Sequence, residues 1–289
     1  MIYLQMALYC EAKPILQHFP LRAFPQAGRF QSWQSEEITL TISGTGQTEA
    51  ATCAARTLTQ NPPSPSDLFV LLGTCAAMHE GCEKGRLYRI HSLEDLGSGR
   101  TYYPDLLAGL ELPEASLLTG YQELSRQRKH VWYSSAHEEA DLYDMESAAA
   151  YAAASHFFGP HQIEVLRLVS DSGEDADLLT PDSISAMMEH EIPALEQIFE
   201  HLQKFSRMLE NQSRQPSEKE QQVLAEMETA FRCSASMALH LRQLIRYAVC
   251  AGLPYETILE RYEREGLIPV PGRKEGKDLL VQFERELTR

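Results

Sequence analysis

Residues 143–171 read YDMESAAAYAAASHFFGPHQIEVLRLVSD, and they contain the two patterns that decide the fold class. The alanine-rich part, Met145–Phe158, favours a helix that ends at Gly159-Pro160. The apolar run Ile163–Val169 favours a strand that is buried on both faces. A helix followed by a buried strand is typical of α/β proteins, in which helices cover both faces of a sheet.

The same alternation runs through the first two hundred residues. The turn Gly44-Thr45-Gly46 leads into a predicted helix, Gln47–Leu58, and Thr180 with Pro181 marks the start of another. We therefore predict an α/β domain over residues 1–200. Apolar or β-branched segments predict five further strands: Ile2–Leu8, Glu36–Ser43, Asp67–Leu72, Gly85–Ile90 and Ser116–Thr119.

The strand pattern stops after residue 200. Residues 201–216 are predicted to be a helix end and a polar linker. A capping box, Ser217-Glu-Lys-Glu220, follows, and apolar residues from Val223 to Ala248 recur at helical spacing. The sequence thus predicts an all-α appendage over residues 217–289. Two more helices are predicted in it, over Pro254–Glu265 and Lys277–Leu287.

The charge of the chain divides at the same place. The 289 residues include 41 acidic and 26 basic ones, for a net charge of -15. Residues 1–199 hold 27 acidic and 12 basic residues, whereas residues 200–289 hold 14 of each. The acidic balance argues against nucleic-acid binding, which requires clustered Lys and Arg. No segment has the pattern of a signal peptide or a membrane span, so we expect a cytoplasmic protein without a membrane partner.

The six cysteines predict reduced, mostly buried thiols, because they form no CxxC pair and no zinc spacing. The segment His79-Glu80-Gly81-Cys82 combines two kinds of metal ligand, but no third ligand follows at a recognisable spacing. We therefore predict neither a metal site nor a cofactor.

Small or acidic residues follow four of the predicted strands, and ligands of α/β sheets bind beyond the carboxyl ends of strands. Asp144 and Glu146 open the alanine-rich helix nearby in sequence. Taken singly, each candidate has an ordinary explanation as a helix cap, a turn or a core residue. Together they predict an enzyme-like site without identifying its reaction. The four candidate strand ends are Glu11, Gly44-Thr45-Gly46, Gly73–Ala77 and Ser170-Asp171.

The order of these segments resembles the superfamily of purine nucleoside phosphorylases and methylthioadenosine/adenosylhomocysteine nucleosidases, from Met1 to about Phe199. The resemblance implies a phosphorylase/hydrolase-like, three-layer α/β domain around a mixed, partly barrel-like sheet, to which the all-α appendage is added. It also implies cleavage of the N-glycosidic bond of a purine nucleoside. The matching segments are Ala7–Ala12, Ser43–Gly46, Leu72–Ala77, Tyr143–Ala150 and Val169–Asp171.

The resemblance implies roles for three carboxylates. Asp171 matches the acid that protonates the purine at N7, and burial behind an apolar strand favours a carboxylic acid that keeps its proton. Glu11 matches the carboxylate that positions and deprotonates the attacking water. Glu146 matches the residue that binds the ribose hydroxyls, and Met145 packs on the sugar.

The resemblance also implies contacts with the purine base. Cys75, Ala76 and Ser170 belong to matching segments and are predicted to bind substrate. The base-stacking phenylalanine of the superfamily is not matched, because counting back from Glu146 places Glu123 there. Tyr121 and Leu124 are therefore the predicted base contacts.

The identity of the nucleophile follows from the charges of the matching loops. Phosphorylases of the superfamily carry arginines after the first strand and before the small-residue turn, where this chain has Glu11 with Lys13 and Leu71-Leu72. We therefore predict a nucleosidase that uses water and cleaves an adenosine-type nucleoside, such as methylthioadenosine, adenosylhomocysteine or 5′-deoxyadenosine. The alternatives are a phosphate-dependent purine nucleoside phosphorylase and a non-catalytic nucleoside sensor that signals through its helical tail.

Two further features bear on assembly. Nucleosidases with an apolar 5′ group often complete their site from a neighbouring subunit, and Tyr102-Tyr103-Pro104 lies where such a contribution arises. A rigid packed loop explains these residues equally well. We expect a homodimer or higher homo-oligomer. The appendage has no counterpart in the small nucleosidases, and covering the site, mediating assembly and binding a partner all stay open as its role.

Overall fold

The computed structural model describes residues 1–24, 29–123, 140–173, 176–212 and 218–287. Contacts divide the chain into two compact units, Met1–Ser213 and Arg214–Arg289. The ten strands of the described residues all lie in the first unit.

The strands form one mixed sheet with a closed part. Its order is β10-β6-β8-β9-β5-β1-β4-β3-β2, with β7 beside β6, and β10 also pairs with β5. Strands β5, β10, β6, β8 and β9 therefore close into a barrel, which confirms the predicted partly barrel-like sheet. The strands are β1 (Ile2–Met6), β2 (Arg22–Ala23), β3 (Gln31–Gln34), β4 (Ile38–Ile42), β5 (Leu68–Ala77), β6 (Leu87–Asp95), β7 (Arg100–Tyr102), β8 (Glu114–Thr119), β9 (Leu142–Asp144) and β10 (Ile163–Asp171).

Parallel pairing brings the predicted strand ends to one edge. β1 runs parallel to both β4 and β5, and β5 runs parallel to β10. The carboxyl ends of β1, β4 and β10 therefore lie at the same edge of the sheet, together with the segments that follow β1 and β4. β1 and β10 are buried along their whole length, as their apolar sequences predict.

Five helices cover the two faces of this sheet. Their bounds are α1 (Tyr9–His18), α2 (Gln47–Gln60), α3 (Ser147–Ala154), α4 (Pro181–His190) and α5 (Ile192–Gln212). Ile15, Met188 and Leu195, from α1, α4 and α5, join one apolar core, whereas Ala54 and Tyr151, from α2 and α3, join the other. A sheet between two helical layers confirms the three-layer architecture.

Helix α1 contains Pro14 and was not predicted. A proline has no N–H to donate to the carbonyl four residues earlier, and that carbonyl belongs to Cys10. The hydroxyl of Ser185 in α4 donates to Cys10 O at 2.7 Å instead. The helix therefore continues through the proline, and Glu11 lies in its first turn.

The second unit is helical and has a core of its own. Its helices are α6 (Glu218–Ala230), α7 (Ala235–Ala251), α8 (Tyr255–Arg264) and α9 (Arg273–Leu287). Phe231, Tyr262 and Phe283 are fully buried at its centre. None of the helices among the described residues combines the length and the apolar character needed to cross a membrane.

The apolar residues that recur at helical spacing from Val223 to Ala248 belong to two helices, α6 and α7. The chain leaves the helix at Arg232, whose φ is 47°, and Ser234 starts α7 by accepting a hydrogen bond from the N–H of Met237. The apolar period hides this break because both helices face the same core. Ser217, the predicted cap of α6, lies outside the described residues.

Candidate active site

Glu11 is held rigidly beside the sheet. Its side chain is buried, and Oε1 accepts hydrogen bonds from the N–H and the hydroxyl of Thr74, each at 2.7 Å. Oε2 accepts from the N–H of Leu8 at 2.9 Å, the N-cap position of α1. The helix start and the centre of β5 therefore fix both oxygens of this carboxylate.

Gly73 makes room for this arrangement. A Cβ atom at Gly73 would lie 2.7 Å from Nη1 of Arg167 and 3.3 Å from Oε1 of Glu11. Any side chain there would push the guanidinium or the carboxylate away. The small residue predicted to let a ligand approach the backbone thus lets two charged side chains meet.

Arg167 is the central residue that sequence reasoning missed. Its side chain is buried, and Nη2 lies 2.9 Å from Oδ2 of Asp144 and donates to Oγ of Ser147 at 2.6 Å. Burial alone disfavours its charge, but the charges of Asp144, Glu146 and Glu11 outweigh that and raise its pKa. One signal was present in the sequence, since Arg167 is one of two charged residues, with Glu164, inside the otherwise apolar run Ile163–Val169.

The carboxylate of Asp144 binds both the N-terminus of α3 and the guanidinium of Arg167. Oδ2 accepts from the N–H of Ser147, at the start of α3, at 3.0 Å. Oδ1 accepts from the hydroxyl of Thr119 at 2.7 Å. Because Oδ2 also pairs with Arg167, the carboxylate joins β8, β9, β10 and α3 at one point.

Glu146 faces the loop that follows β4. Its Oε1 accepts from the N–H of Gly46 at 2.7 Å, and Gly46 adopts a φ of 92°, which favours glycine. Burial is the main cause that raises the pKa of Glu146 to about 7, and the charge of Asp144 adds to it. The hydrogen bond from Gly46 and the charge of Arg167 both lower the pKa of Glu146, but by less. Glu146 can therefore gain or lose a proton near neutral pH.

Replacing Glu146 by glutamine is expected to stabilise the protein at alkaline pH. A buried carboxyl with a raised pKa loses stability as pH rises from its ordinary pKa of 4.5 to about 7, because the unfolded chain ionises first. Glutamine keeps the Oε1 acceptor for Gly46 without the charge. The free energy of unfolding in urea is measured for the variant and the unaltered chain at pH 5 and at pH 8.5. The stabilisation by glutamine should be larger at pH 8.5 than at pH 5, by an amount on the order of 1–3 kcal/mol.

The exposed Glu200 provides the control. Glu200→Gln should change the free energy of unfolding equally at both pH values. If Glu146→Gln also shifts both values equally, the ionisation of Glu146 is not coupled to folding.

Ser170 and Asp171 end β10 beside the small-residue turn. Asp171 is buried, and its Oδ1 accepts from the N–H of Gly173 at 2.7 Å. The hydroxyl of Ser170 lies 2.8 Å from Oδ2 of Asp171 and 3.1 Å from the carbonyl oxygen of Cys75. Burial raises the pKa of the Cys75 thiol well above its ordinary value, so Cys75 is a neutral packing residue here.

The predicted sugar and base contacts divide into two groups. Ala76 and Met145 pack in one small apolar cluster with Tyr143, next to the carboxylates. Tyr121 is 58% exposed and its ring lies against Gly97. Leu124 lies outside the described residues.

The two tyrosines considered for contact with the 5′ group lie in different environments. Tyr102 packs against Tyr151 of α3 with ring centroids 5.4 Å apart, which fits the packed-loop explanation. Tyr103 is 67% exposed and free to meet another molecule.

The fold is similar to that of solved nucleosidase structures. No protein-family model matches the chain, and no curated protein matches it in sequence. Solved structures do match in fold. One is the 5′-methylthioadenosine/S-adenosylhomocysteine nucleosidase of Neisseria meningitidis with methylthio-immucillin-A, at 18% identity and a TM-score of 0.54, covering 66% of this chain and 97% of that one.

Two other structures agree with it. The Streptococcus pneumoniae MTA/SAH nucleosidase with 8-aminoadenine is 19% identical, with a TM-score of 0.58, and covers 70% of this chain and 98% of that one. The futalosine hydrolase of Helicobacter pylori is 18% identical, with a TM-score of 0.53, and covers 73% of this chain and 97% of that one. The resemblance inferred from the ordered segments is confirmed at the level of fold.

Proposed function

We propose that this protein is a purine nucleoside hydrolase that cleaves the N-glycosidic bond of an adenosine-type nucleoside. The observation that carries the proposal is the position of Glu11, which is buried, fixed through both oxygens and placed beside Arg167 and Glu146. The matching folds are those of enzymes named as methylthioadenosine/adenosylhomocysteine nucleosidases and of one named as a futalosine hydrolase.

Glu11 is suited to hold the attacking water. A carboxylate offers about four acceptor positions, and Thr74 and Leu8 occupy three of them. The remaining position is on Oε2, where a water can donate a hydrogen bond and pass its proton to the carboxylate as it attacks C1′ of the ribose. Negative charge at Glu11 and Glu146 also favours the oxocarbenium character of the sugar in the transition state.

Asp171 is suited to protonate the leaving base. A serine hydroxyl has one hydrogen and can donate it once. The Ser170 hydroxyl lies within hydrogen-bond distance of both the Cys75 carbonyl oxygen and Oδ2 of Asp171, so it leaves the Asp171 carboxyl without a full set of partners. Asp171 is buried at the end of β10, and we infer that its carboxyl passes a proton to N7 of the purine as the bond breaks.

Water is favoured over phosphate by the charges around the site. The carboxylates of Glu11, Asp144 and Glu146 surround the guanidinium of Arg167. Its Nε and Nη2 already donate to Asp144 and Ser147. An incoming phosphate would meet more negative than positive charge and find these donors engaged.

The decisive experiment measures base release with and without phosphate. The purified chain is incubated with methylthioadenosine, adenosylhomocysteine or 5′-deoxyadenosine in phosphate-free buffer, and adenine and the sugar product are quantified by chromatography. We expect free adenine and an unphosphorylated sugar from at least one nucleoside, at a rate that added phosphate does not raise.

Two outcomes would replace the proposal. Release that requires phosphate and yields a sugar 1-phosphate would establish a phosphorylase. Nucleoside binding without release would establish the sensor, whose tail would then transmit the binding.

The remaining assignments are parts of the same proposal. We infer a catalytic domain over residues 1–200, joined by 201–216 to the appendage of residues 217–289. We also propose a homo-oligomer, in which the exposed Tyr103 reaches a neighbouring site, and a cytoplasmic location, where the free thiols of Cys10, Cys53 and Cys75 persist. Sedimentation of the purified chain tests the oligomeric state.

A further inference from the structure

The turn that follows β5 holds a cluster of potential metal ligands outside the proposed active site. His79 and Cys82 lie on this turn, and Asp141 immediately precedes β9. One ligand atom from each residue lies within 4.8 Å of the other two. The third ligand that sequence spacing did not provide is thus supplied by another part of the sheet.

Asp141 is prepared for this role by its surroundings. Its Oδ2 accepts from both the N–H and the hydroxyl of Ser116 at 2.8 Å, and Oδ1 lies 2.9 Å from Nε2 of His79. These hydrogen bonds hold the carboxylate with one oxygen directed towards the histidine.

The ligand types select the class of ion. We propose that His79, Cys82 and Asp141 form a three-ligand site for a zinc-type transition-metal ion, with a fourth position left to water. A thiolate with an imidazole and a carboxylate suits Zn²⁺ or Co²⁺ and not Mg²⁺ or Ca²⁺, which prefer oxygen ligands alone.

Small movements bring the three ligands to bonding distance. A tetrahedral zinc ion holds N, O and S ligand atoms roughly 3.3–3.7 Å apart, so the widest separation must close by about 1 Å. The side chain of His79 is 47% exposed and can rotate towards the other two ligands.

Binding also redistributes protons. The ion displaces the proton on Nε2 of His79, that proton moves through water to Nδ1, and the thiol proton of Cys82 is released to water. Nδ1 now accepts from the N–H of Gly81 at 3.0 Å, so that peptide must turn away, which a glycine permits.

A metal here would tie the exit of β5 to the start of β9. Ala77 pairs with Leu142 directly beside the cluster, and Tyr143 and Asp144 follow in the same strand. The site would therefore fix the position of the strand that leads to Asp144 and Glu146 without taking part in the chemistry.

The test is metal binding by the full chain. We expect one Zn²⁺ per chain in equilibrium dialysis, and a thiolate-to-cobalt charge-transfer absorption when Co²⁺ is added to the reduced protein. His79→Gln, Cys82→Ser and Asp141→Asn should each weaken binding by about 100-fold or more, beyond the 10–100-fold cost of losing an outer-shell partner. Cys82→Ser should also abolish the charge-transfer absorption.

Two variants serve as matched controls. His18→Gln removes another exposed histidine–carboxylate pair, and Cys233→Ser removes another half-buried thiol. Both should bind zinc as the unaltered chain does. Absence of stoichiometric zinc, or a cobalt spectrum that Cys82→Ser leaves unchanged, would overturn the proposal, and circular dichroism of each variant separates lost binding from lost folding.

Discussion

Replacing Asp171 by asparagine is expected to slow base release by about 10²–10⁴-fold, the usual contribution of a positioned acid. Asparagine preserves the shape of the side chain, and its oxygen can still accept from the N–H of Gly173. Its amide can donate to Ser170, but it cannot give up a proton to N7 of the base. Nucleoside binding should therefore stay within about threefold while turnover falls.

The measurement combines single-turnover base release with calorimetric titration of the same nucleoside. Asp182→Asn is the matched control, because Asp182 is an exposed acid in the first turn of α4. An Asp171→Asn variant that releases base at the rate of the unaltered chain would remove Asp171 from the role of acid. A variant that loses both binding and release would indicate a positioning role instead.

The central strands of the sheet were predictable because they are rich in apolar residues. β1, β5 and β10 are buried along most or all of their length, and a solvent-facing segment would not need so many apolar residues. β3, with the sequence QSWQ, has no apolar run and pairs with β4 through its backbone, so no strand pattern marks this segment. Helix α1 was missed because the substitute donor for the Cys10 carbonyl, Ser185, lies far along the chain.

The site was predictable only in part, for a related reason. Glu11, Glu146 and Asp171 lie in segments whose order could be compared with a known superfamily. Arg167 and Thr74 acquire their roles from partners on other elements, and no local pattern shows that a charged residue inside β10 will meet Asp144. The same holds for Asp141, which joins His79 and Cys82 only once β9 is paired with β5.

Replacing Arg167 by methionine is expected to cause the largest loss of stability. Methionine is similar in length and apolar, so the cavity is small, but Asp144 keeps a buried charge whose cation is gone. Removing one partner of a buried ion pair costs about 3–5 kcal/mol. The charges of Glu11 and Glu146, no longer balanced, add to this cost. Urea denaturation at pH 8, above the pKa of about 7 of Glu146, measures the loss of free energy of unfolding.

The ion pair of Arg89 and Glu164 provides a control that distinguishes a loss of stability from a loss of activity. It is equally buried, and Nε of Arg89 donates to Oε2 of Glu164 at 2.8 Å. Arg89→Met should lower the free energy of unfolding by a similar amount, yet retain base release at a temperature where it is folded. Arg167→Met should lose release under the same conditions, since Glu11 and Glu146 lose the cation that orients them.

A double variant tests the electrostatic cause directly. If the uncompensated charge of Asp144 dominates the loss, Arg167→Met combined with Asp144→Asn should be more stable than Arg167→Met alone, although it removes more hydrogen bonds. If the double variant is instead less stable by the sum of the single effects, Arg167 contributes by packing and its charge is not what holds the site together.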